Sequence, residues 1–212
     1  MGRAILILVL FVVGGAISYF GVREYRVSND AAPHPVEVDL AELEAGRPPG
    51  DNHIRIGRHV AAYPATVYAY EISRFASRRK PGPDTRVSHC FYPIVSAASA
   101  ETPEKDLALE DLDRSFAVLV KTRRFRTKAS IPQQVSFNSS VRGLLINRIE
   151  SLGEREERLI RMNFPQVDME KVLILEEDRR PASALKWLGM VLGGPAMVLL
   201  GVGLGVWWKQ KS

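Results

Sequence analysis

Two charge-free apolar runs, Ala4–Val22 and Trp187–Trp208, lie at opposite ends of this chain. Every charged side chain except Arg3, Lys209 and Lys211 falls between them. That layout predicts a protein held in a membrane at both ends, with one domain at the bilayer surface. The first run has 19 residues. At about 1.5 Å of rise per residue, a helix of that length approaches the roughly 30 Å hydrocarbon core. The second run has 22 residues, with Trp187 at one end and Trp207 and Trp208 at the other, where indole rings suit the water–lipid interfaces. Its six glycines and Pro195 would weaken a helix in water. In lipid the backbone has no water to turn to, so the helix persists. Arg3, the stretch Ile5–Val13 and Gly14-Gly15-Ala16 also fit a secretory signal cleaved after Ala16, the rival reading of the first run.

Small residues recur four apart at Gly14 and Ser18, at Gly189 and Gly193, and at Gly201 and Gly205. Such spacing lines one helical ridge with small side chains and lets a second backbone come close. It predicts helix pairing, within the chain or between copies. The stretch Gly201-Val-Gly-Leu-Gly205 is not a phosphate loop, because it lies inside a span with no strand before it.

Both termini fall on one side of the membrane if both runs span it. Arg23, Arg26, Arg179, Arg180 and Lys186 flank the domain, which by literal positive-inside counting favours the cytoplasm. Glu24, Asp30 and the acidic run Glu176–Asp178 dilute that count. The signal-like start of the chain favours export, and an extracytoplasmic domain is expected. With Cys90 the single cysteine, no internal disulfide can form.

The expected order is a transmembrane helix over 4–22, a stalk over 23–36, a membrane-tethered domain over 37–178, a linker over 179–186 and a second transmembrane helix over 187–208. Pro33 and Pro35 favour an extended stalk. The domain is large enough for one core. Its first half reads as strands at Val36–Leu40, Ala65–Ser73, Arg86–Val95 and Phe116–Thr127, with a turn cluster at Gly46–Asn52. In the second half, Val141, Leu145, Ile149 and Leu152 follow a helical face capped by Ser139 or Ser140. After Gly153 the run EREERLIRM continues as helix until Pro165, and Val172–Leu175 reads as a buried strand. The fold class is α+β: a small curled antiparallel sheet or open barrel with one packed helical segment, between two terminal transmembrane helices.

Charge is segregated. No acid occurs from Arg114 through Ile149, whereas Glu101–Asp113 holds six acids against one lysine. The candidate binding surface is basic: Arg74, Arg78, Arg79 and Lys80 before Pro81-Gly82-Pro83, and Lys121, Arg123, Arg124, Arg126 and Lys128. On an unbroken strand the second group alternates, with Lys121, Arg123 and Phe125 on one face and Arg124, Arg126 and Lys128 on the other. Such a strand end projects into water, pairs with the acidic segment before it, or meets anionic headgroups or an acidic protein. Nucleic acid is not expected, since a net charge of +5 is modest and the aromatics are not interleaved for stacking.

No metal site, cofactor or catalytic constellation is expected. His34, His53, His59 and His89 lack the spacing of helical metal ligands. Adjacent His89 and Cys90 point to opposite faces of a strand. No GxSxG, Walker loop, HExxH or CxxCH occurs. The layout of helix, β-rich domain and helix resembles the Surf/Shy group of cytochrome oxidase assembly factors, as do Phe91-Tyr-Pro-Ile-Val95 and Ala117-Val-Leu-Val120 before a basic turn. The group's glycine- and tryptophan-bearing motifs are not evident, and no functional residue is carried over from it.

The expected function is that of a non-catalytic membrane protein whose surface domain binds another membrane component. Its partners would be the bilayer and a membrane protein, or a second copy met through Gly189, Gly193, Gly201 and Gly205. An anionic-lipid- or anion-binding module is the alternative, and a membrane-bound enzyme with a site assembled from scattered residues is the third reading.

Overall fold

A computed structural model describes residues 2–70, 82–96, 116–149 and 152–210. The chain divides into two compact units. One joins Met1–Pro33 to Pro181–Ser212, and the other is His34–Arg180.

The first unit is a pair of packed helices, α1 (Gly2–Asn29) and, at the far end of the chain, α5 (Ala184–Gln210). Both are long and apolar enough to cross a membrane, as an integral membrane protein requires. α1 runs past the apolar stretch, so Arg23–Asn29 continue the helix. Leu8, Val12, Leu192 and Leu199 point outward, an arrangement consistent with lipid contact. In a bilayer, whose tails are as apolar as leucine, such a pair would depend on close packing rather than on exclusion from water. Glycine supplies the closeness. A Cβ on Gly14 would lie 2.7 Å from the Gly194 carbonyl oxygen, and one on Gly21 would lie 2.8 Å from the Val191 nitrogen. A Cβ on Gly194 would overlap Ser18 Oγ. The Ser18 hydroxyl is meanwhile satisfied inside its own helix, donating to the Gly14 carbonyl at 3.0 Å. At one end of the pair, Tyr25 and Trp187 meet edge to face at 4.8 Å, and Ser28 Oγ donates to the Ala182 carbonyl at 2.9 Å.

The second unit is α+β, a curled open sheet resembling half a barrel. Its elements are β1 (Val36–Val38), α2 (Leu40–Glu44), β2 (His53–Ile56), β3 (His59–Ala61), β4 (Val67–Tyr70), β5 (Val87–Ser96), β6 (Val118–Thr122), β7 (Ser136–Asn138), β8 (Val141–Leu145), the single turn α3 (Ile146–Ile149), α4 (Glu154–Asn163) and β9 (Leu173–Glu177). The strand order is β1-β2-β8-β9-β6-β5-β3-β7, with β4 also paired to β5. The sheet is mixed rather than antiparallel as expected, because β1 runs parallel to β2 and β6 parallel to β9. The long connection from β6 through β7, β8 and α4 is what lets β9 return in the direction of β6.

Apolar side chains fill both faces of the central strands. One face gathers Cys90, Tyr92, Ile94, Val118, Val120, Leu145 and Leu175 with Leu40 and Leu43 of α2. The other gathers Phe91, Leu119 and Ile174 with Ile160 of α4, Phe116 and Phe164. A strand covered on both sides reads as a continuous apolar run, which is how Ala117-Val-Leu-Val120 appears in the sequence. Asp39 caps α2 by accepting from the Ala41 amide at 3.0 Å, and Gly46 follows that helix with φ of +80°. α4 begins with Glu154, Glu156 and Glu157 in its first turn, where carboxylates suit the helix dipole, and ends before Pro165.

Two local expectations are corrected. Val141–Leu145 is a strand rather than the start of a helix. Val141 and Leu145 are one helical turn apart but also share a strand face, and Gly143 between them decides the matter. Its missing side chain admits the Glu176 carbonyl of β9, which a Cβ there would overlap. Likewise β6 stops at Thr122, short of the expected Thr127. Phe125 then turns into the first core instead of standing beside Lys121 and Arg123.

Candidate functional site

The notable cluster begins with a bulge. β4 and β5 pair as Ala69 with His89 and then Tyr70 with Val87, so Ser88 has no opposite residue. An extra residue of this kind breaks strict alternation and re-aims side chains. Adjacent Ser88 and His89 thereby touch, with Oγ 3.0 Å from Nδ1, while Ser88 Oγ also lies 3.1 Å from the Ala69 carbonyl. The far side of the imidazole, Nε2, lies 3.1 Å from Glu156 Oε1 of α4, off the axis of a good hydrogen bond. Lys121 Nζ donates to the same oxygen at 2.7 Å. His89 and, against the opposing effect of burial, Lys121 hold the Glu156 carboxyl at about 2.

Hydroxyl, imidazole and carboxylate stand here in the order used by serine hydrolases. The carboxylate that would have to stabilise an imidazolium is, however, already neutralised by Lys121. The Ser88 proton also has the Ala69 carbonyl as a second acceptor. The arrangement suits a tie that fastens α4 to β5 and β6 better than it suits nucleophilic attack.

A second polar group lies at the same sheet end on the opposite face. Arg124 Nη2 donates to Tyr63 Oη at 2.8 Å, and Asn138 Nδ2 donates to the same oxygen at 3.3 Å. The guanidinium also covers the Phe125 ring at 4.7 Å and lies 3.8 Å from Glu177 Oε1. Tyr63 packs on Tyr92 at 4.9 Å. Burial pushes the Tyr92 phenol up and the Cys90 thiol up to about 12, so both stay neutral. His59 Nδ1 faces the Gly57 carbonyl at 2.8 Å, and burial lowers its pKa despite that bond. Among the described residues no group of three or more metal-ligating side chains occurs.

Five of the nine residues of the expected basic surface, Lys121, Arg123, Arg124, Arg126 and Lys128, lie among the described residues. Arg74, Arg78, Arg79 and Lys80 lie outside the described residues, as does the acidic segment Glu101–Asp113. Lys121 is a buried structural cation and Arg124 is held by Tyr63 and Glu177, so neither belongs to a free basic face. The neutralising acids come instead from α4 and from the end of β9. Arg179 pairs with Glu176 at 2.9 Å and Arg142 with Asp178 at 3.3 Å. An open cavity of about 280 Å³ at this end is lined by Lys121, Arg123 and Arg179 with Glu176, Glu177 and Asp178, a balanced set. Arg123, Arg126 and Lys128 remain exposed. Of the glycines named for helix pairing, Gly201 and Gly205 face α1, with a Cβ on each 3.4 Å from Leu10 and Ile7 respectively. Gly189 and Gly193 face open space.

Sequence reasoning missed Ser88, Glu156 and Glu177. The signal for Glu156 was its position on the second core face of an amphipathic helix, two residues before the exposed Arg158. No protein-family model, curated protein or solved structure matches the chain. The likeness in layout to the oxidase assembly factors therefore assigns it no function.

Proposed function

We propose that this chain is a non-catalytic, membrane-anchored protein whose β-rich domain binds another membrane component, as an assembly, scaffold or accessory factor would. The observation that carries this reading is the glycine-packed pair of apolar helices, one from each end of the chain, which leaves the domain tethered twice. A double tether restrains the domain at one surface and raises its effective concentration toward anything else there. The commitment of Lys121, Glu156, Arg124 and Glu177 to internal contacts supports binding over chemistry. The signal-like first residues favour an extracytoplasmic domain.

Photo-cross-linking in native membranes tests the proposal. A variant with both helices replaced by unrelated apolar spans is compared with the intact chain. The reading expects the same cross-linked membrane partner from both, lost when surface positions of the domain are changed. A partner retained only by the native helices would contradict it. Protease protection in sealed vesicles tests the sidedness.

A further inference from the structure

We infer that the exposed cations Arg86, Arg123, Arg126 and Lys128 form a contact surface for anionic lipid headgroups. This deepens the proposed function by naming the membrane component, and it rests on that reading.

Three observations carry it. First, pairing places these residues together. Beyond the level where Cys90 faces Thr122, the chain segments on either side keep company. Arg86 bridges to Thr127, the Val87 amide donates to the Arg126 carbonyl at 2.9 Å, and the Ala129 amide donates to the Pro83 carbonyl at 3.0 Å. Second, Arg86, Arg123 and Arg126 are exposed and have no ion pair among the described residues, while Lys121, Arg124, Arg142 and Arg179 are taken up by Glu156, Glu177, Asp178 and Glu176. Lys128 is exposed and rests over the Tyr68 ring at 5.8 Å. Asp84 is the one acid of this extension.

Third, short segments tie the domain to both apolar helices, Asp30–Pro35 leading from α1 into β1 and Asp178–Ser183 from β9 into α5. β6 and β9 are parallel, with Lys121 opposite Glu176, so the basic segment leaves the sheet at the end where β9 finishes. Six residues, Asp178–Ser183, then lead to α5, a reach of no more than roughly 25 Å. A cation near an anionic surface strengthens binding roughly fivefold. Screening limits that gain to separations of about 8 Å at physiological salt.

The test uses the full chain in lipid nanodiscs of phosphatidylcholine, with or without phosphatidylglycerol. One variant carries Ala129→Cys with an environment-sensitive dye; a control carries Gln166→Cys, in the exposed turn before β9 at the other strand end. Acrylamide quenching of the Ala129→Cys dye should fall several-fold in anionic discs only, and recover in about 1 M salt, where screening shortens to about 3 Å. The Gln166→Cys dye should not respond. Replacing the four cations by Gln should abolish the difference while thermal unfolding stays unchanged. Equal quenching in both discs, or protection that requires a co-purifying acidic protein rather than lipid charge, would overturn the inference. A chain that never enters the discs would instead overturn the membrane reading beneath it.

Discussion

The Lys121 ammonium lies 2.7 Å from the Glu156 carboxylate, joining β6 to α4 across 35 residues of chain. Their side chains keep only 11% and 22% of their exposure, so neither charge is well hydrated without the other. Replacing Glu156 by Gln is expected to cost about 1–3 kcal/mol, between the values for exposed and fully buried pairs. The double variant Lys121→Met with Glu156→Leu should cost less than the two single changes added. Chemical unfolding of the detergent-solubilised chain measures both.

The same contact sets a pH dependence. Glu156 titrates at about 2 in the fold against an ordinary 4.5. A depressed carboxylate contributes fully above its unfolded pKa, and that contribution is lost as pH falls through the folded value. Stability from this group should therefore hold above about pH 4.5 and decline toward pH 2. Acid titration of the melting temperature should show a shallower fall in the Glu156→Gln variant.

Gly14 and Gly194 are expected to be intolerant of size, whereas Gly15 and Gly189 are not. Leu at 14 or 194 should separate α1 from α5, and Leu at 15 or 189 should leave them paired. Disulfide trapping between cysteines introduced at Leu10 and Gly201, whose Cβ positions lie 3.4 Å apart, reports the difference.

Gly143→Ala should destabilise the domain by about 2–3 kcal/mol, because its Cβ meets backbone that has no rotamer to yield. Gly57→Ala, at an open position, is the control. Thermal melts of the two variants compare them directly.

Cys90 is fully buried, with its thiol pushed up to about 12. Maleimide should label it only after denaturant is added. Rapid labelling of the native protein would show that this core face opens.

The terminal helices, α4, β5 and β9 were legible because each carries its pattern in consecutive residues. The short strands β2 and β3 were not, since His53-Ile-Arg-Ile56 and His59-Val-Ala61 bury histidines that read as polar. The i, i+4 spacing of Val141 and Leu145 serves a helix and a strand equally, and only the approach of Glu176 to Gly143 separates the two. The site was less legible. The Ser88–His89 contact depends on a bulge that no residue announces, and Lys121 gave no hint that a carboxylate 35 positions away would neutralise it. Charge counted along the chain does not show that Lys121 and Arg124 meet internal carboxylates.

Alkaline carbonate extraction of membranes bearing the intact chain, followed by high-speed centrifugation, bears most directly on the double anchor. The protein should remain wholly in the pellet and be released only by detergent. Recovery in the detergent-free supernatant would contradict the account at its base.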